Sequence, residues 1–275
     1  MTNTAPHKSP ILVTGGTGKT GRRVAERLAA LGHGTRVGSP SGATRFLWED
    51  RGTWAPALEG AGAAYVAYFP DLSFPGAAET VGAFSQSAVE HGTRRLVLLS
   101  GRGEEGARAS EDAMRASGAD VTVLRCSWFD QNFSESFFLP AVLDGEIALP
   151  TGDAVEPFVD VDDIADVAVA ALTDDRHTGA TYELSGPRAI GFAEVAAELS
   201  SATGRTIAYK PVDMEDYRAA LSAAGQPPEF ADLFELIRDG RNAEPVDGVR
   251  TVLGRAPRDF AAYARDAAKT GVWNA

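Results

Sequence analysis

Seven consecutive residues near the N-terminus have the types and spacing of a phosphate-binding turn: Gly15-Gly16-Thr17-Gly18-Lys19-Thr20-Gly21. In such turns the first glycine lets the chain leave a strand sharply, the second lets a pyrophosphate approach backbone N–H groups, and the third lets the next helix pack on the sheet. The positive end of that helix then faces the phosphates. A spacing variant of this fingerprint is present, which predicts a dinucleotide site with these contacts: Gly15, Thr17, Gly18, Lys19, Thr20 and Gly21.

Two alternatives compete with this interpretation of the turn. A nucleoside triphosphate loop also ends in Gly-Lys-Thr, but it requires a glycine five residues before Gly18, where this chain has Val13. A glycine triplet can also form a tight strand-to-helix turn that binds nothing. Dinucleotide binding is favoured because the triplet follows the first predicted strand of an alternating chain and opens an amphipathic helix.

The residues after the second predicted strand indicate which dinucleotide is bound. An acid there holds the ribose 2′-hydroxyl of NAD, whereas a basic residue accommodates the 2′-phosphate of NADP. The segment Arg36-Val37-Gly38-Ser39-Pro40-Ser41 contains no acid. We expect Ser39 and Ser41 to donate hydrogen bonds to a phosphate, and Arg36 or Arg45 to supply charge. NADP is therefore favoured, with NAD left open, and the alternative is that both arginines are solvated surface residues.

Short apolar segments that alternate with amphipathic segments position this turn. The predicted strands are 11–14, 35–38, 44–48, 63–69, 95–100, 121–126 and 182–184. The predicted helices are 22–31, 77–91, 104–117, one that contains Phe137 and Phe138, 162–172, 193–203, 214–224 and 228–239. Because strands separated by helices pair in parallel, the pattern predicts an α/β, doubly wound parallel-sheet Rossmann fold.

The alternation stops after Cys126, where aromatic and turn-rich segments begin. We expect a smaller C-terminal α/β lobe that is interleaved with the sheet. The dinucleotide-binding domain is predicted to span 1–128 and 157–185, and the substrate-binding lobe 129–156 and 186–275. A length of 275 residues suits one large domain with a lobe.

Composition argues against several classes of partner. The net charge of −12 and the lack of a basic stripe disfavour nucleic acid. Residues 1–10 lack the apolar core of a signal peptide, and no apolar run approaches the ~18 residues that span a bilayer. We therefore expect a cytoplasmic protein without a membrane partner, either a monomer or a homodimer. Cys126 is expected to pack in the core, and Asp160, Asp162 and Asp163 to cap a helix without binding a metal.

Four sequence patterns occur in a fixed order along nearly the whole chain. They are the turn 15–21, Leu98-Leu99-Ser100, Leu124-Arg125-x-x-x-Phe129-x-x-Asn132-Phe133, and Phe158-Val159-Asp160-Val161-x-Asp163-Ile164-Ala165. Together they resemble the NmrA-like branch of the atypical short-chain dehydrogenases/reductases. The resemblance implies NAD(P)H binding and a place among quinone and aromatic-compound reductases, isoflavone-reductase-like enzymes, and regulators that bind the dinucleotide without turning it over.

Further cofactor contacts are predicted after the two central strands: Phe69, Pro70, Ser100 and Gly101. Related bacterial sequences often carry arginine where this chain has Pro40, and an acid where it has Leu47. The chain therefore departs from the usual contacts on the adenosine side.

The usual catalytic pair of short-chain dehydrogenases is missing. These enzymes activate the substrate oxygen with a tyrosine whose pKa is lowered by a lysine four residues later, and no tyrosine of this chain has such a lysine. Ser100 resembles the surviving serine, and Ser100 and Arg102 are the predicted catalytic residues. The alternative is that Ser100 only satisfies the end of its strand.

An aromatic segment follows the strand that bears Cys126, at the carboxyl edge where ligands of such folds bind. The predicted substrate contacts are Trp128, Phe129, Asn132 and Phe133; the alternative is that the phenylalanines only fill the core. We predict an NADPH-dependent oxidoreductase that transfers hydride to a quinone-like or aromatic small molecule, polyketide-type compounds included. The alternative is a catalytically silent NAD(P)-sensing regulator that binds a protein partner.

Overall fold

The computed structural model describes residues 9–226 and 228–274. Residues 1–8, which form most of the polar N-terminal segment and open the predicted dinucleotide-binding domain, lie outside the described residues. Within the described ranges, no helix combines the length and the apolar character needed to cross a bilayer.

Eleven strands and twelve α-helices are present in the described residues. The strands are β1 Ile11–Val13, β2 Thr35–Ser39, β3 Thr44–Arg45, β4 Ala63–Val66, β5 Arg95–Gly101, β6 Asp120–Cys126, β7 Glu146–Leu149, β8 Val155–Glu156, β9 Thr181–Leu184, β10 Ile190–Gly191 and β11 Ala208–Pro211. The helices are α1 Lys19–Ala30, α2 Trp54–Leu58, α3 Ala77–Glu90, α4 Glu105–Arg115, α5 Asn132–Glu135, α6 Leu139–Asp144, α7 Val161–Thr173, α8 Phe192–Thr203, α9 Met214–Ala223, α10 Glu235–Arg238, α11 Gly248–Leu253 and α12 Phe260–Lys269. Short 3₁₀ helices span Arg51–Thr53, Asp175–His177 and Pro228–Phe234.

The chain divides into two compact units, of which the first extends to Cys126 and resumes over Val161–Glu183. The second comprises Ser127–Asp160 and the residues from Leu184 onward. The domain boundaries predicted from the sequence, at 128, 157 and 185, lie two to four residues from these positions. As functional domains, the two ranges stay a prediction.

The first unit is built on a seven-stranded sheet of order β3-β2-β1-β4-β5-β6-β9. β1 pairs in parallel with both β2 and β4, and β5 pairs in parallel with β6 over its full length. Leu96 and Leu98 of β5 pack with Phe84 of α3 and Met114 of α4, while the alternating Val97 is buried as well. The strands are therefore covered on both faces, as parallel sheets require, and the predicted doubly wound fold is confirmed.

Helix α1, which begins at the glycine turn, is tied to α7 by ion pairs. Asp162 accepts from Arg23 at 3.2 Å and from Arg27 at 2.7 Å, and Asp166 accepts from Arg27 at 2.6 Å. Asp162 and Asp163 occupy the first turn of α7, where carboxylates interact favourably with the positive helix end. The ion pairs give Asp162 a structural role that connects two helices of the first unit.

Two strands are shorter than predicted because threonine hydroxyls replace the backbone hydrogen bonds between strands. The segment predicted as 44–48 ends at Arg45, and the N–H and carbonyl of Leu47 instead bond to the hydroxyl of Thr53. The segment predicted as 63–69 ends at Val66, and the N–H of Ala67 donates to the hydroxyl of Thr14. A bond to a threonine hydroxyl thus takes the place of strand pairing where each predicted strand ends early.

The second unit has an aromatic core and two short two-stranded sheets. β7 pairs in parallel with β11, and β8 pairs antiparallel with β10. The predicted helix containing Phe137 and Phe138 is wrong, because both residues lie between α5 and α6. Pro140, at the start of α6, supplies no backbone N–H and favours a new helix start there. The predicted helix 228–239 is a 3₁₀ helix followed by α10.

Candidate functional site

Two positions of the glycine turn 15–21, Gly15 and Gly21, accommodate only glycine. Gly15 has φ of +59°, and the N–H of Gly18 donates to the carbonyl of Gly15 at 2.9 Å. A Cβ on Gly21 would overlap the Gly15 carbonyl oxygen and would lie 2.9 Å from the Gly16 Cα. The first turn of α1 therefore rests directly on the glycine turn, which demands glycine at position 21.

The ends of three adjacent strands meet at this turn. The N–H of Gly16 donates to the carbonyl of Gly38 at the end of β2, at 3.1 Å. On the other side, the Thr14 hydroxyl accepts from the Ala67 N–H after β4, at 2.9 Å. The carboxyl edge of β2, β1 and β4 thus brings together the predicted contacts that lie far apart in sequence, namely the turn, Ser39 and the segment that contains Phe69 and Pro70.

The residues of this edge fit the pyrophosphate of a dinucleotide. Helix α1 has no acidic residue in its first turn, and no side chain caps its N-terminus at Gly18, so its positive end is available to an anion. Thr17 and Gly18 are exposed at the apex of the turn. Ser39 is 1% exposed, and its hydroxyl has no hydrogen-bond partner among the described residues. A buried hydroxyl in this position is a group that a ligand oxygen would satisfy.

The other predicted contacts at this edge differ in exposure. Ser41 is exposed, Thr20 is buried, and Lys19 is partly exposed. Phe69 is 77% exposed, and Pro70, which follows it, is also exposed. All of these positions stay predicted cofactor contacts.

Arg36 has a different role from the one predicted. Its guanidinium donates to the carbonyls of Ala57 and Glu59 at 2.6 and 2.7 Å, at the C-terminal end of α2. Arg36 is the second residue of β2, three residues before the carboxyl edge, so its side chain satisfies helix carbonyls that have no intrahelical partner. That it also supplies charge to a 2′-phosphate stays a prediction.

Ser100 and Arg102 belong to a network of ion pairs within the first unit. The Ser100 hydroxyl donates to Glu111 at 2.7 Å, and Glu111, 1% exposed, accepts two further bonds from Arg125. Arg102 is buried and pairs with Glu183 at 3.2 Å. The hydroxyl proton of Ser100 and the charge of Arg102 are thus committed to protein carboxylates. Both residues hold the ends of β5, β6 and β9 together, and their catalytic roles stay predictions.

We expect Ser100→Ala to separate these two roles. A charge-assisted hydrogen bond to a buried carboxylate contributes roughly 1.5–3 kcal/mol, so the variant should unfold at a lower denaturant concentration. Its kcat should stay within about twofold of the wild-type value, because no proton of Ser100 is available to a substrate. Denaturation with urea and steady-state assays on the same preparation measure both quantities. A large fall in kcat at unchanged stability would restore the catalytic interpretation.

A pair of carboxyl groups that the sequence did not reveal lies next to Gly101. A Cβ on Gly101 would overlap the carboxyl group of Glu104, which forms a hydrogen bond with Asp71. Burial and the neighbouring Asp71 charge raise the pKa of Glu104 to about 8. In the sequence, the one indication of this pair is an acid in the loop Gly101-Arg102-Gly103-Glu104, which follows a central strand. Asp71 is 33 positions away and comes close only through the pairing of β4 with β5.

The predicted substrate contacts lie in the second unit and are of two kinds. Phe133 is fully buried and packs on Phe158, Phe192 and Phe260. Its ring therefore fills the core, and its role as a substrate contact stays a prediction. Trp128 and Phe129 are partly exposed, whereas Asn132 is 7% exposed at the start of α5. These three stay predictions.

Trp128 is the centre of an aromatic surface in the second unit. The centroid of its ring lies 6.0 Å from the ring centroids of Phe137 and Phe138, and 5.2 Å from that of Phe234. Phe137 is 56% exposed, so one face of the cluster is open to a ligand. Phe137 and Phe234 were not predicted as contacts, since their proximity to Trp128 depends on tertiary packing.

The aspartates 160, 162 and 163 do not gather into a metal site. Asp160 is buried and accepts from Gln131 at 2.7 Å and from Arg258 at 2.8 Å. Among residues 9–226 and 228–274, no cluster of three or more histidine, cysteine, aspartate or glutamate side chains has a metal-binding arrangement. Cys126 is buried, and burial raises its pKa.

Comparison with known proteins gives end-to-end relatives, although no family model matches the chain. The chain is 33% identical to the uncharacterized oxidoreductase YesF of Bacillus subtilis, over 97% of each chain. It is 34% identical to the (4-alkanoyl-5-oxo-2,5-dihydrofuran-3-yl)methyl phosphate reductase of Streptomyces griseus, over 91% of this chain and 95% of the relative. The NADPH complex of the Escherichia coli quinone oxidoreductase QOR2 superposes with a TM-score of 0.76 at 21% identity, covering 93% of this chain and 99% of that one. The fold is thus shared over nearly the whole chain.

Proposed function

Because the chain belongs to the NmrA-like family of atypical short-chain dehydrogenases/reductases, which are NAD(P)H-binding oxidoreductases, we propose that it is an NADPH-dependent reductase of quinone-like or other electron-poor aromatic molecules. The observation that carries this proposal is the glycine turn with the uncapped N-terminus of α1 above it. The turn supplies backbone N–H groups and a positive helix end to a pyrophosphate.

The preference for NADPH over NADH rests on the end of β2. The segment after Val37 has no acid to hold a ribose 2′-hydroxyl, and the hydroxyl of Ser39 is buried without a partner among the described residues. Arg45 is exposed on β3 and is a basic candidate for the 2′-phosphate beside Arg36, whose guanidinium also bonds to the carbonyls after α2. Ser41, in the exposed turn between them, is a second hydroxyl donor.

Bound NADPH would supply the hydride, and the chain's own residues would bind and orient the reactants. Holding two reactants in a productive geometry can account for a large part of a rate enhancement. Without a Tyr-Lys pair to polarise a ketone, the site is suited to acceptors that are already electron-poor. Quinones meet that requirement.

The aromatic surface around Trp128 supports a flat substrate. Pockets for such molecules are lined by apolar and aromatic side chains with few polar groups, and an offset or edge-to-face ring contact adds about 0.5–1.5 kcal/mol beyond area burial. Trp128 and the exposed Phe137 present such faces. We therefore assign them to substrate binding in this proposal.

The test follows NADPH oxidation at 340 nm with 1,4-benzoquinone, 1,4-naphthoquinone and 9,10-phenanthrenequinone, with NADH as the cofactor control. Turnover well above the enzyme-free rate is expected, with NADPH preferred. Trp128→Ala should raise KM about tenfold by removing ring contacts, while the matched Trp128→Phe should keep most of the affinity. A silent panel alongside tight NADPH binding would overturn the proposal and favour a dinucleotide-sensing regulator.

A further inference from the structure

Glu104 stands in the loop between β5 and α4, at the carboxyl edge of the first unit's sheet. Its carboxyl group lies directly over the Cα of Gly101, and only a glycine leaves room for it there. Ligands in open α/β folds bind outside these carboxyl ends. Glu104 is partly exposed as a residue, while its carboxyl group is buried enough for burial to raise its pKa.

The chain holds Asp71 against Glu104 with several small residues. Asp71 accepts from the N–H of Ser73 at 2.8 Å and from its hydroxyl at 2.6 Å, which fixes the position of its carboxylate. Ser110 of α4 donates to the Leu72 carbonyl at 2.9 Å. A Cβ on Gly106 would lie 2.6 Å from the Ser73 carbonyl oxygen. Helix α4 is thus clamped against the 71–73 loop, which holds the segment that carries Asp71 beside the start of the helix, next to Glu104.

Two carboxyl groups within hydrogen-bond reach share one proton, because two like charges so close cannot both be ionised. Glu104 is the carboxyl whose pKa is raised, by burial and by the neighbouring Asp71, so the proton resides on Glu104. Two further titratable groups on this side are Cys126 on β6, which interacts with Glu104, and Tyr65 on β4, which interacts with Cys126. Both are buried, and burial raises the pKa of each, so neither supplies a proton at neutral pH.

We propose that Glu104 is the proton donor of the reduction, with Asp71 as the positioning residue that keeps it protonated. This inference rests on the proposed function. One quinone oxygen would take up the hydride supplied by NADPH and the other the proton of Glu104, so that two substrate O–H bonds form as a C–H bond of the nicotinamide and the carboxyl O–H bond break. Quinone is reduced to hydroquinone, NADPH is oxidised to NADP⁺, and solvent returns a proton to the Glu104 carboxylate.

In this proposal Glu104 takes the role that the tyrosine and lysine have in typical short-chain dehydrogenases. A general acid works best when its pKa lies near the working pH, and the raised pKa of Glu104 meets that condition. Only the protonated form donates, so kcat should be constant below pH 7 and fall as the pH rises through about 8.

The experiment compares Glu104→Gln, Asp71→Asn and the matched control Glu105→Gln, which alters the neighbouring exposed carboxylate in the first turn of α4. At pH 6.5, Glu104→Gln should lower kcat for 1,4-naphthoquinone on the order of 100-fold. Asp71→Asn should move the alkaline fall of kcat to lower pH, because it removes the negative charge that keeps the proton on Glu104. Glu105→Gln should behave as the wild type.

A second readout needs no cofactor and no turnover. The folded-state pKa of about 8 exceeds the ordinary value of 4.5, so the folded protein binds one proton more than the unfolded chain between these values. Stability of the wild type should therefore fall as the pH rises from about 5 to 8. Glu104→Gln lacks this loss of stability. The Tm of the variant minus the Tm of the wild type should therefore be at least about 5 °C larger at pH 9 than at pH 5.

The outcomes separate the inference from the proposed function. If the wild type reduces quinones and Glu104→Gln retains its kcat and its pH profile, Glu104 is not the donor and the proposed function stands. If the Tm of Glu104→Gln and of the wild type change in parallel with pH, the carboxyl pair holds no proton and the inference fails. If the wild type reduces no quinone, both the proposed function and the donor role fall.

Discussion

Replacing Gly21 by alanine is expected to destabilise the folded chain by about 3 kcal/mol or more and to weaken NADPH binding at least about 100-fold. The added Cβ would overlap the carbonyl oxygen of Gly15 and lie 2.8 Å from its carbonyl carbon. Because these are backbone atoms, the overlap is relieved only by moving the turn or the start of α1. Either movement displaces the N–H groups that face the pyrophosphate.

Gly191→Ala is the matched control for this substitution. Gly191 has φ of −82° and precedes a helix, as the glycine turn does, but a Cβ there would meet its nearest atom at an ordinary 3.6 Å. Urea denaturation measures the stability of both variants, and quenching of tryptophan fluorescence by NADPH measures their affinity. Wild-type affinity in a folded Gly21→Ala protein would contradict the assignment of the turn to the cofactor.

Replacing Glu111 by alanine should cost about 3–5 kcal/mol of unfolding free energy, because removing one partner of a buried ion pair leaves the other uncompensated. The carboxylate is 1% exposed and accepts from Ser100 and from two nitrogens of Arg125. Its bonds to Arg125 also raise the pKa of that guanidinium. Arg125 would keep only the longer contact to Glu183, at 3.7 Å.

The neighbouring residue provides a control on the same helix. Asp112 is 82% exposed, and Asp112→Ala should change stability by less than about 0.5 kcal/mol. Chemical denaturation of both variants gives the comparison. A loss below about 1 kcal/mol for Glu111→Ala would mean that the network contributes nothing net, and Ser100 would again be free to serve another role.

The sequence predicted what is local and missed what depends on tertiary contacts. The glycine turn was recognisable because its chemistry lies in seven consecutive residues between a strand and a helix. The order of strands followed from their alternation with helices. Both features are periodic or contiguous, so no knowledge of distant partners was needed.

The role of a side chain depends on the partner that the fold supplies, and that partner is not visible in the sequence. Ser100 and Arg102 follow a central strand, as catalytic residues do, yet Glu111 and Glu183 bind them. Arg36 reaches helix carbonyls about twenty residues away. Phe133 and Phe137 are four residues apart and identical in type, but one is buried and the other is 56% exposed. The pair of Glu104 with Asp71 was hidden for the same reason.

The discontinuous first unit also constrains how the protein can be made. Its sheet is completed by β9 and one of its helix pairs by α7, and both come after 34 residues that belong to the second unit. When only the first 126 residues have left the ribosome, one edge of β6 is therefore unpaired. Helix α1 then also lacks the aspartates that anchor it. Unpaired edges of nascent chains are prone to association. The phosphate-binding end of the molecule is thus encoded first, and it becomes fully supported only when translation has passed residue 184.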